Sequence, residues 1–145
     1  MAFNDETRRF WHIDLTTRAG ARSAAYQGAV ASFIFCVMGV LGIVVGFGMV
    51  GTSSPQGLAL VGGAALEAAV GLVAGLRLRS GKGAYWGMAA AVLAALELLG
   101  KMVALSIGGV IICGIILVFV IQGIRGALAL KNTASFEDDD IEVFG

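Results

Sequence analysis

Residues 26–50 form a run of 25 residues without one charged side chain, and a helix needs about 20 apolar residues to cross the hydrocarbon core of a bilayer. Three further apolar runs follow at 57–78, 84–105 and 107–130, broken by very few charges. No water is present at that depth to satisfy backbone amides, so each run must close its own hydrogen bonds, and a helix does so within a single segment. The sequence therefore predicts an all-α membrane protein of four transmembrane helices, with residues 1–25 as a cytoplasmic, interfacial amphipathic segment, 26–130 as the four-helix domain and 131–145 as an acidic cytoplasmic tail. Composition agrees: the chain is 58% hydrophobic and 14% charged, against about 25% charged in soluble domains.

The connections are short. In GTSSPQG at 51–57, Ser54 suits an N-cap and Pro55 the first helical position. RLRSGKG at 77–83 reverses on Gly81 and Gly83, and a tight turn near 106–109 joins the last two helices. Basic side chains orient the whole, because cytoplasmic segments retain Lys and Arg. Arg8, Arg9, Arg18 and Arg22 precede the first run; Arg77, Arg79 and Lys82 lie at the second connection; Arg125 and Lys131 close the last run. With an even number of spans, nine of the ten basic residues share one side, so both termini are expected to be cytoplasmic in a bacterial inner membrane.

The N-terminal segment interleaves Phe10 and Trp11 with Arg8 and Arg9, after Asn4, Asp5 and Glu6 at a favourable helix start. Rings on acyl chains and guanidinium groups on phosphates suit a short interfacial helix, a docking helix, or a lead-in lying near the membrane. His12, the only histidine, reads as an interfacial side chain rather than a ligand. The first 24 residues hold no apolar core of the kind a signal peptide needs, and Ala2 rather than glycine follows Met1, which predicts a mature chain beginning near Met1.

Glycine is abundant, 22 residues, and mostly inside the apolar runs. Small residues let helix backbones approach in lipid, where dispersion and weak hydrogen bonds replace the missing hydrophobic drive. Gly39, Gly42 and Gly46, then Gly71 and Gly75, then Gly83 and Gly87 form three such sets, expected to pack helices against copies of the chain or a larger membrane complex. Cys36 and Cys113 sit mid-run with no metal or redox spacing and read as small packing residues.

Apart from Arg77 and Arg125 toward the run ends, the charges inside the runs are Glu67, Glu97 and Lys101. Ionisable groups at that depth are costly and mark functional candidates, normally facing other helices or a wet cavity. Glu97 and Lys101 stand at i and i+4, in the favourable order for an ion pair. Glu67 has no such neighbour on its own helix, which leaves two readings. It shares a proton with Glu97 across the antiparallel pair, or it is protonated and bonded to a backbone carbonyl or Ser32.

The tail sets Asp138, Asp139 and Asp140 among Phe136, Ile141, Val143 and Phe144. It is either a solvated end or a strip docking on a basic surface such as the 77–82 loop. No metalloprotease, hydrolase, P-loop or dinucleotide motif is present; no cofactor, metal or catalytic residue is expected. A net charge of zero argues against a nucleic-acid partner. Two functions fit: a structural, accessory or assembly subunit using glycine-rich helix packing, and an oligomeric ion or proton-coupled transporter or channel using Glu67 and Glu97.

Overall fold

A computed structural model of the chain describes residues 13–51 and 53–132, and among them every regular element is helical. Four helices follow in order: α1 (Arg18–Met49), α2 (Pro55–Arg79), α3 (Ala84–Val103) and α4 (Ile107–Lys131). Each is long and apolar enough to cross a membrane. The expected interfacial helix, with Arg8, Arg9, Phe10, Trp11 and His12, lies outside the described residues, as do Asp138, Asp139 and Asp140.

Local chemistry explains the helix ends. Thr17 caps α1 by accepting a hydrogen bond from Gly20 N–H at 3.1 Å, nine residues before the charge-free run begins. At 32 residues and about 1.5 Å per residue, α1 is some 48 Å long, so its first turns reach beyond a hydrocarbon slab about 30 Å thick. Ser54 caps α2 through Gly57 N–H at 3.1 Å with Pro55 in the first turn, as the sequence predicts. Gly51 and Gly81 take φ of +67° and +72° in the first two connections, a conformation glycine adopts without penalty. The last connection has no such glycine. It turns at 104–106, earlier than expected, with Leu105 held at φ +53°.

The connections make sequential neighbours antiparallel, and α1 also packs against α4, so the helices close into a ring in chain order. The interior is built from small side chains: eleven of the 17 buried apolar residues are alanine, joined by Phe35, Leu78, Ile116 and Val120. The large aliphatics face outward, Leu41, Val44, Leu66, Val92, Leu99 and Ile111 among them. Water would penalise so continuous an apolar exterior. In lipid it costs nothing, and the small interior lets the backbones close on one another.

Seven of the eight described Lys and Arg residues gather at one end of the bundle: the start of α1, the end of α2 with its following loop, and the last two turns of α4. Lys101 alone is near the opposite end.

Candidate functional site

Glu67 on α2, Glu97 and Lys101 on α3 and Cys113 on α4 lie within electrostatic reach of one another. Glu67 is twelve residues from the basic end of α2 and Glu97 thirteen residues from that end of α3, about 18 and 20 Å along their axes. The two carboxyls stand at matching height and are electrostatically coupled to each other and to Lys101. Lys101 Nζ lies 3.6 Å from Glu97 Oε1, one turn along α3, while Glu97 Oε2 is buried without a hydrogen-bond partner. Cys113 on α4 faces the Glu97 carboxyl. Ser32 does not serve Glu67: its hydroxyl donates to the Gly28 carbonyl at 2.8 Å within α1. Both cysteines are free thiols.

One glycine that the sequence reading passed over shapes this cluster. A Cβ at Gly109 would come within 2.9 Å of Lys101 Cδ and of Ser106 Oγ. The bare backbone of α4 thus provides the space in which the lysine stem lies against the helix. Lys101 sets its Nζ beside Glu97 while the rest of its side chain packs on α4. No three His, Cys, Asp or Glu side chains among the described residues are placed to hold a metal ion.

The glycines singled out by spacing all meet the chain's own atoms. Gly39 abuts the α2 backbone at Ala64 and Ala68, Gly42 the Ala64 methyl and Gly46 Leu60 and Val61, while from the other side Gly71 abuts the α1 backbone at Ser32 and Cys36. Gly75 makes room for the Phe33 ring and Gly87 for Ile124 and Leu78; Gly83 meets the preceding turn at Arg77 and Leu78 rather than another helix. These contacts form the α1–α2 and α3–α4 seams of one bundle, which leaves those faces no room for a second copy.

The closest approach between helices was not legible from G-x-x-x-G spacing. A Cβ at Gly28 would stand 2.4 Å from Gly123 Cα, and one at Gly126 would stand 2.5 Å from the Ala21 carbonyl oxygen. Gly123 and Gly126 are three apart, and Gly28 has alanines rather than glycines as its seam neighbours. Gln27 and Gln122 flank this contact, and each keeps a buried Oε1 without a hydrogen-bond partner among the described residues.

Arg79 and Lys82, named from the sequence as docking residues, line a cleft at the basic end; Arg77, also so named, is exposed on the last turn of α2. The cleft lies at the far end of the bundle from Lys101. The chain matches no protein-family model, no curated protein and no solved structure.

Proposed function

We propose that this is an integral protein of a bacterial inner membrane with both termini on the cytoplasmic side, and that Glu67, Glu97 and Lys101 form a proton-handling site within it. The orientation is supported by the seven basic residues at one end, because cytoplasmic segments retain Lys and Arg. The functional reading is carried by one observation: α2 and α3 set two carboxyls at the same height, one of them beside a lysine. Ionisable groups held at that depth are functional candidates by default. Gln27 and Gln122 add buried amide oxygens, each nine residues from the basic end of its helix, about 14 Å along it. Polar groups therefore recur from that end to the carboxyls. Catalysis plays no part in this reading.

The test is proton flux in proteoliposomes under an imposed pH gradient, followed with an entrapped dye. The wild type dissipates the gradient, and Glu67→Gln or Glu97→Gln, which keep hydrogen bonding but do not titrate, slow dissipation at least about tenfold with helix content unchanged. Wild-type liposomes no leakier than empty ones would end this reading.

A second reading, an accessory or assembly subunit, is favoured by a different surface. On α2 the small residues Ala59, Gly62, Ala65 and Ala69 are exposed along one face, and nothing of the chain lies within 4 Å of a Cβ built at Gly62. Small exposed faces of this kind let helices of separate chains approach. Under this reading Gly62→Leu abolishes self-association or co-purification while the monomer stays folded; unchanged sedimentation of that variant in detergent counts against it.

A further inference from the structure

We infer that the basic end holds a binding site for the phosphate-bearing headgroup of an anionic phospholipid. The inference depends on reading the four helices as membrane spans and is independent of the proton-handling proposal. A cleft of about 1320 Å³ opens at that end. Its lining brings together Arg18 and Arg22 from α1, Arg79 from the end of α2, Lys82 from the loop and Lys131 from α4. Asp14 is the only described carboxylate at this end and does not line the cleft. Hydrogen bonds from the Thr16 hydroxyl and N–H hold its carboxyl below the usual range, so its charge is already engaged outside. Arg22, Arg79, Lys82 and Lys131 sharing one cleft repel one another, and an anion among them relieves that repulsion.

The apolar part of the lining identifies the anion. Tyr85, Met88 and Leu128 line the same cleft and are 76%, 43% and 44% exposed. Lys131 Nζ stands 5.9 Å from the centroid of the Tyr85 ring, a cation–π contact suited to the headgroup level. Phosphate alone would use only the charges, and an acidic peptide would leave the lipid-facing wall idle. A phospholipid uses both, its phosphate among the cations and its acyl chains along Met88 and Leu128. Basic pockets between spans at the cytoplasmic surface bind lipid headgroups in this way.

The experiment compares retention of phosphatidylglycerol and phosphatidylcholine by the full-length protein in mixed micelles, read by native mass spectrometry. The wild type retains phosphatidylglycerol at least about twenty-five-fold over phosphatidylcholine, by roughly the contribution of two to three surface cations. Neutralising three of them, in Arg22→Gln/Arg79→Gln/Lys82→Gln, weakens retention about a hundredfold, at roughly fivefold per cation. Arg22→Lys/Arg79→Lys keeps the charges and keeps the preference, which separates binding from misfolding. Equal retention of the two lipids by the wild type overturns the inference, as does an unaltered preference in the triple variant. Thermal stabilisation by millimolar inorganic phosphate equal to that by phosphatidylglycerol would also overturn it. So would a preference that appears only after residues 133–145 are deleted, since the acidic tail would then own the cleft.

Discussion

Gly28→Leu is expected to unfold the bundle at its basic half, with a loss of more than about 3 kcal/mol in reversible denaturation from mixed micelles. Even a methyl group at this position would sit 2.4 Å from Gly123 Cα and 3.2 Å from the Phe119 carbonyl oxygen. The obstacles are backbone atoms, so no rotamer change relieves them and α1 and α4 must move apart. Separation would then propagate, because Gly126 depends on the same closeness to Ala21, Ala24 and Ala25. Lipid supplies no hydrophobic drive to hold separated helices together; contact alone does. The matched control is Gly63→Ala on α2, where nothing lies within 4 Å of the added Cβ. There the lower conformational freedom of alanine should add about 0.5–1 kcal/mol. Equal losses at the two positions would contradict the seam.

How much of this was legible in the sequence depended on which physics wrote each feature. The spans were plain, since lipid demands long apolar runs and the caps at Ser54 and Pro55 obey local rules. The helix of α1 begins at Arg18, before the charge-free run: helix formation needs only a cap and good helix formers, whereas hydropathy marks the part immersed in lipid. The pairing of seams was hidden. Motif spacing found Gly39 and Gly71 but said nothing of whether they meet a second copy or the same chain, because one face is equally suited to both. Gly28, Gly109 and Gly123 were missed for a related reason. Their value comes from the atoms that oppose them, on a packed helix or across the adjoining turn, and no periodicity along one helix encodes that. Glu67, Glu97 and Lys101 stood out at once, yet their meeting depends on the rotation of α2 about its axis, which near-uniform hydrophobicity around a membrane helix leaves unmarked. The basic cleft was half visible: Arg79 and Lys82 are neighbours in sequence, but Arg22 and Lys131 join them only when the ring of helices closes.

Lys101→Met should destabilise the protein by about 2 kcal/mol, a value set between two limits. Removing one partner from a fully buried ion pair costs about 3–5 kcal/mol, because the remaining charge is left without compensation. An exposed pair contributes at most about 1 kcal/mol. Here the Glu97 side chain is 15% exposed and the Lys101 side chain 39%, so solvent and headgroups screen the lysine and discount the upper limit. The loss is still larger than a surface pair would give, since Lys101 is the one cation coupled to both carboxyls. Without it Glu97 faces Glu67 and the Cys113 thiol with no cation beside it. Methionine retains the apolar stem against Gly109 and so isolates the charge from the packing. The double variant Lys101→Met/Glu97→Gln removes the uncompensated carboxylate and should regain most of the loss, whereas Lys101→Met/Glu67→Gln should regain less, because Glu67 is coupled to the lysine without a direct ion pair. If the two double variants recover equally, the lysine serves the carboxyls as a group, and the 3.6 Å contact with Glu97 is incidental to what holds these charges inside the bundle.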